Sequence, residues 1–172
     1  LGIVGLGNIG RLVAKRAEAL GMKIIFADPG VTASPAPGWE KHTFEELLTR
    51  SDYVTFHVHL GPKTKNMINS ANIGLLKKKP FLINVSRAEL IEREALLDAL
   101  ESQAIRGVAI DAHYQEPTEP SDEFFSFDNV FYSPHIAGST VDSYQETVRA
   151  CVENIRATHQ NSTTQGLIRS AD

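Results

Sequence analysis

Cysteine occurs once in the 172 residues, at Cys151, so no intrachain disulfide can form and nothing points to an oxidising compartment. Long apolar runs are missing. None approaches the roughly 18 residues of a membrane span, and no charged-then-apolar leader is expected before the first element. Positive charge is in deficit, with 17 Lys+Arg against 21 Asp+Glu. A non-specific nucleic-acid binder is usually basic, so neither nucleic acid nor membrane is expected as a partner. Repeats and low-complexity blocks are also lacking. His42, His57, His59, His113 and His159 show no metal-ligand spacing with Cys or carboxylates, so no metal is expected. The expected setting is cytoplasmic.

What is present is an alternation. Strand-length apolar runs fall at 1–4, 23–27, 53–57, 81–85, 107–110 and 130–132, and helical patterns lie between them. Ile24-Ile25-Phe26-Ala27 does not alternate polar with apolar, as expected of a strand covered on both faces. Residues 8–20 carry Ile9, Val13, Ala17 and Leu20 on one helical face. Thr43-Phe44-Glu45-Glu46 has capping-box spacing before Leu47 and Leu48. Residues 92–100 repeat Leu96, Leu97 and Leu100 behind an acidic first turn. After Ser139-Thr140, Val141, Tyr144, Val148, Cys151, Val152 and Ile155 keep helical spacing, which places Cys151 in a core. The pattern predicts an α/β fold with a doubly wound parallel sheet.

Several stretches have simpler readings. Lys77-Lys78-Lys79 reads as a solvated helix end. Phe124, Phe125 and Phe127 read as a loop folded onto the core, with a dimer surface as the alternative. The chain opens inside its first apolar segment without an initiator Met, so a domain excised from a longer protein is expected. The polar stretch from about Gln160 to Asp172 reads as a loop or frayed end.

The first chemistry-bearing motif is Gly5-Leu6-Gly7-Asn8-Ile9-Gly10, a G-x-G-x-x-G directly after a strand and at a helix start. Gly5 permits the tight turn, Gly7 lets a pyrophosphate approach the backbone, and Gly10 lets helix and strand pack closely. The free N–H groups of the helix start then face the phosphates. Asp28 ends the second strand, where a carboxylate can accept from ribose hydroxyls; its alternative is a turn residue before Pro29-Gly30. Residues 29–31 offer no Arg for a 2′-phosphate, so NAD is favoured over NADP. Arg87, Asp111, Glu116 and His135 all fall just beyond later strands, at the edge where open parallel sheets bind ligands. A base, a carboxylate to orient it and a cation for an anionic substrate suit hydride chemistry. Taken singly each has a plainer reading: Arg87 as a cap or a partner of Glu89, Glu116 as a loop charge, His135 as a half-buried loop histidine.

Taken together these motifs resemble the NAD-binding domain of the D-isomer-specific 2-hydroxyacid dehydrogenases. The resemblance runs from Gly2 to about Ile155 through the glycine loop, Ser51-Asp52, Asn84-Val85-Ser86-Arg87, Ile110-Asp111-Ala112 with Glu116-Pro117, and Pro134-His135-Ile136-Ala137-Gly138. It implies a Rossmann-type, three-layer α/β/α domain over residues 1–158 with a tail at 159–172. A substrate domain is expected upstream of residue 1. It implies Arg87 holding a 2-oxo acid, His135 as acid/base, and Glu116 stabilising the charged imidazole. It implies cofactor contacts from Gly5, Gly7, Asn8, Ile9, Gly10, Asp28, Val58, Val85, Ser86, Arg87, Asp111, His135, Ala137 and Gly138, with NAD as cofactor. The implied partners are a small 2-hydroxy or 2-oxo acid and a second copy paired through this domain. Two departures stand out: Ala88 replaces the glycine after the motif arginine, and His59 replaces a proline. Glu116 argues against a formate dehydrogenase, which has glutamine there. The main alternative function is a nicotinamide-sensing, non-catalytic binding module like the corepressor branch of the family; an unrelated Rossmann enzyme leaves Arg87, Glu116 and His135 unexplained.

Overall fold

Apolar runs too short for stable helices become the strands of one sheet. The computed structural model describes residues 1–160. It divides into two units, Leu1–His135 and the residues from Ile136 onward. The first unit contains β1 (Gly2–Val4), α1 (Asn8–Ala19), β2 (Ile25–Ala27), β3 (Glu40–Lys41), α2 (Phe44–Arg50), β4 (Tyr53–Phe56), β5 (Phe81–Asn84), α3 (Arg93–Glu101), β6 (Gly107–Ile110) and β7 (Val130–Tyr132). The strands form one seven-stranded sheet in the order β3-β2-β1-β4-β5-β6-β7, with every neighbour parallel. The order reverses between β1 and β4, the switch point where doubly wound sheets open a crevice.

Successive strand residues point to opposite faces, so each strand feeds two cores. Ile3 and Phe26 join Ala14 and Ala17 of α1, while Val4 and Ala27 join Leu47 and Leu48 of α2 and Leu96, Leu97 and Leu100 of α3. Helices therefore cover both faces, giving the expected three-layer Rossmann-type fold. The buried face of α1 differs from the expected stripe. Ile9 and Leu20 are 64% and 83% exposed, and Gly10, Ala14 and Ala17 are buried instead. The cause is the glycine loop: a Cβ on Gly10 would run into the Gly5 carbonyl, so the helix lies too close to β1 for large side chains.

The capping box at α2 forms as its spacing predicts. Thr43 Oγ1 accepts from Glu46 N at 3.2 Å, and Glu46 Oε2 accepts from Thr43 N at 3.0 Å. That second bond, first among the causes, holds the Glu46 carboxyl below its ordinary range. Lys77, Lys78 and Lys79 follow a single 3-10 turn at Ile73–Leu75 rather than ending an α-helix, and they are exposed. Phe124 is buried and Phe127 packs against the core, as the folded-back loop requires, while Phe125 is exposed.

The second unit holds α4 (Val141–His159), capped by Thr140 Oγ1 accepting from Ser143 N. None of its residues is buried, and Cys151 is exposed. The helix was correctly spaced, but the expected core position of Cys151 is not found. The polar stretch beyond Gln160 lies outside the described residues. No helix among the described residues is long and apolar enough to cross a membrane.

Candidate active site

The turn after β1 is set by Gly5, whose φ of +89° lies in the left-handed region that a side chain disfavours. A Cβ there would also strike the His57 carbonyl and Val58 beyond β4, so the loop fits closely into the switch point. Gly7 is the N-cap of α1 and supplies no side-chain cap, and a Cβ on it would meet nothing within 4 Å. The first turn of α1, with Asn8 and Ile9 exposed, thus presents uncapped N–H groups to open space.

Asp28 leaves the end of β2 toward this loop. Its Oδ2 accepts from Leu6 N at 2.7 Å and its Oδ1 from Gly30 N at 2.8 Å. The turn reading of the residue therefore holds, and the same carboxylate ties the end of β2 to the glycine loop. Asp28 and Val58 line a cleft of about 790 Å³ together with Lys41, His42, Thr43, Lys63 and Thr64. The strand β3 that carries Lys41 escapes the sequence reading, because two exposed polar residues at a sheet edge leave no apolar run.

Arg87 is positioned by the buried end of β5. Asn84 Nδ2 donates to the Arg87 carbonyl at 2.8 Å, Asn84 Oδ1 accepts from Ser86 N at 3.2 Å, and Ser86 Oγ donates to the Phe56 carbonyl at 2.7 Å. The turn is thereby tied to β4 and β5, with Val85 and the Arg87 side chain exposed. The guanidinium rests on the Ser86 carbonyl at 2.7 Å rather than on Glu89. Ala88, one of the two departures from the resembled pattern, is buried at the start of a 3-10 turn and has no positive φ.

The ends of β6 and β7 bring together the pair that matters most. His135 Nδ1 lies 2.8 and 2.9 Å from the two oxygens of Glu116, and Glu116 Oε1 also accepts from His113 N at 3.0 Å. Those bonds, the His113 amide first and His135 second, hold the Glu116 carboxyl below its ordinary value. An ionised carboxylate only accepts, so Nδ1 carries a proton and Nε2 is the ring nitrogen that Glu116 does not engage. His135 sits at φ +54°, a conformation rare outside glycine. Two neighbours brace the pair. His113 Nε2 donates to the Ser133 carbonyl at 2.9 Å, and Ser133 Oγ donates to Asp111 Oδ1 at 2.5 Å. Asp111 is only 1% exposed, so it ties β6 to β7 from below. His113 was not foreseen as part of this site; nothing in the sequence separates it from any other loop histidine. Ala137 and Gly138 belong to the second unit.

Residues 1–137 match the profile of the D-isomer specific 2-hydroxyacid dehydrogenase NAD-binding domain. The chain belongs to this family. It is 38% identical over 159 residues to glycerate dehydrogenase of Methylorubrum extorquens, covering 91% of the chain and 49% of that protein. It is 38% identical over 160 residues to D-3-phosphoglycerate dehydrogenase of Methanocaldococcus jannaschii, covering 91% of the chain and 30% of that protein. Among solved structures, the NAD-complexed D-isomer specific 2-hydroxyacid dehydrogenase of Lactobacillus delbrueckii ssp. bulgaricus superposes with a TM-score of 0.86. It is 27% identical, over 98% of this chain and 55% of that one. The chain spans about half or less of the length of the relatives it matches.

The 2-hydroxyacid dehydrogenase frame makes NAD the cofactor, and the residues present fit it. The space over Gly7, the uncapped start of α1 and the carboxylate of Asp28 lie along the crevice a dinucleotide needs. Among the described residues no group of three or more His, Cys, Asp or Glu side chains could hold a metal ion.

Proposed function

We propose that this chain is the cofactor half of an oxidoreductase that interconverts a D-2-hydroxy acid and its 2-oxo acid. The observation that carries the reading is the Glu116–His135 pair, with its carboxylate bidentate on Nδ1 at 2.8 and 2.9 Å. NAD(H), when bound, supplies the hydride acceptor or donor. In this reading His135 Nε2 gives a proton to the substrate oxygen during reduction and takes it back during oxidation. Glu116 holds the imidazole in one tautomer and offsets its charge. Arg87, held at its backbone by Asn84, leaves the Ser86 carbonyl to pair with the substrate carboxylate. Gly5, Gly7, Asn8, Ile9, Gly10 and Asp28 hold the adenosine and pyrophosphate, and Val58, Val85 and Ser86 are assigned to the remaining cofactor contacts; Asp111, 1% exposed and bonded to Ser133, steadies the turn that carries His135 instead of touching the cofactor. The substrate is a small 2-hydroxy or 2-oxo acid, as the names of relatives acting on glyoxylate, glycerate and 3-phosphoglycerate suggest. A substrate domain outside these residues completes the pocket, and two copies pair through this one.

The test is a panel of 2-oxo acids with NADH and the full-length protein. Turnover that His135→Asn reduces by about a hundredfold or more, with NADH affinity intact, is the expected result. NADH binding with no turnover on any acid would instead favour the sensing module.

A further inference from the structure

Strand β3 does more than extend the sheet. Its Lys41 pairs in register with Phe26, two residues before Asp28. From there the side chain reaches the turn that follows Asp28, and Nζ donates to the Val31 carbonyl at 2.5 Å. That turn has no donor of its own to spare. Pro29 lacks an N–H, Gly30 N is bonded to Asp28 Oδ1, and Val31 N lies 3.4 Å from the Asp28 carbonyl. Lys63 and Glu45 also line this cleft. His42 sits between Glu40 and Glu46, at 3.2 and 3.5 Å. Lys41 is exposed, lines the same cleft as Asp28, and has a neutral carbonyl rather than a carboxylate as its partner.

We propose that Lys41 is a specificity-determining residue at the adenosine end. Its ammonium swings from the Val31 carbonyl to meet a 2′-phosphate, so discrimination against NADP(H) rests on Asp28 alone. NADH remains preferred in the natural chain, because the Asp28 carboxylate accepts from ribose hydroxyls and repels a phosphate in their place. The cation that a 2′-phosphate needs is nevertheless already there, supplied from a strand distant in sequence from the 29–31 turn. A point charge on a flexible stem suits this role, since it can exchange a carbonyl for a phosphate oxygen without moving the backbone. The inference rests on the dinucleotide-cleft reading.

The experiment is calorimetric titration of the 172-residue chain with NADH and with NADPH, for four proteins: wild type, Asp28→Asn, Lys41→Met and the double variant. Asp28→Asn is expected to raise NADPH affinity about tenfold, and adding Lys41→Met to abolish most of that gain. Lys41→Met should change NADH affinity by less than about twofold, since no phosphate faces it there. Asp28 also closes its turn, so Lys41→Glu in the otherwise natural chain provides a second arm: NADPH affinity should fall while NADH affinity holds. If Lys41 substitutions move NADPH no more than NADH, the proposal is overturned and the cleft reading stands. If the natural chain binds neither nucleotide, the cleft reading fails and takes the proposal with it.

Discussion

A histidine in the left-handed region costs about 1–2 kcal/mol of backbone energy, and such strain persists where surrounding contacts over-determine it. At His135 those contacts are the two Glu116 oxygens. Glu116 is fixed in turn by the His113 amide. Replacing Glu116 with Gln keeps the shape and removes the charge. In the proposed reading the carboxylate keeps the proton of His135 on Nδ1, whereas an amide can present its own N–H there and turn the ring to the other tautomer. In the full-length protein Glu116→Gln is therefore expected to lower kcat/KM in both directions by about tenfold or more. Steady-state rates in each direction check this; unchanged kcat/KM with NADH binding intact would remove Glu116 from the mechanism. Stability follows the sign of the Glu116 shift. Its carboxyl is held low, so the contribution of its ionised contacts is present above the ordinary glutamate value and lost as pH falls through the lowered one. Thermal unfolding of wild type and Glu116→Gln should thus differ at neutral pH and converge in acid.

At the scale of elements, the glycine loop separates two roles that one motif confounds. Gly10 faces the Gly5 carbonyl, so Gly10→Ala forces α1 away from β1 and lowers Tm. Gly7 faces open space at φ −74°, so Gly7→Ala meets no clash and lowers Tm less than Gly10→Ala does, by no more than the loss of a favoured N-cap residue. In the dinucleotide-cleft reading the added methyl group stands in the path of the pyrophosphate, and NADH affinity should fall by about tenfold or more. Calorimetric scans and NADH titrations of both variants check the pair; equal Tm losses would show that Gly7 serves packing instead. At α2, Thr43→Ala removes the acceptor for Glu46 N and should cost about 1 kcal/mol, measurable by urea unfolding. Element order and helix starts were legible because caps, glycines and apolar runs are local signals. The face of α1 was not, since a stripe of large apolar residues looks like a core face until the distance to β1 is known. Neither was β3, whose Glu40 and Lys41 bond to β2 through backbone alone. The same gap hid Lys41 and His113, whose partners are set by register and loop closure rather than by spacing in the chain.

At the scale of the whole molecule, the parallel sheet carries the C-terminal ends of its strands to one edge, which is why the candidate residues could be picked out at strand ends. The edge is also open. The His135 and Glu116 side chains are 41% and 43% exposed, and Arg87 is exposed with its guanidinium on a neighbouring carbonyl. Hydride transfer asks for more than the right residues. Donor and acceptor carbons must be held in near-attack geometry, and water must be kept from the charges that develop. In the proposed reading the first unit supplies the acid/base and an anion anchor, and the wall opposite them falls to the substrate domain. The 172-residue chain is therefore expected to bind NADH yet show negligible turnover with glyoxylate, hydroxypyruvate or 3-phosphohydroxypyruvate, while the full-length protein turns over at least one acid of this class. Single-turnover absorbance of NADH with both proteins at matched occupancy of the cofactor site would decide it. Comparable rates in the two would show that these strand ends alone position the substrate, and that the exposed Arg87 closes over it unaided.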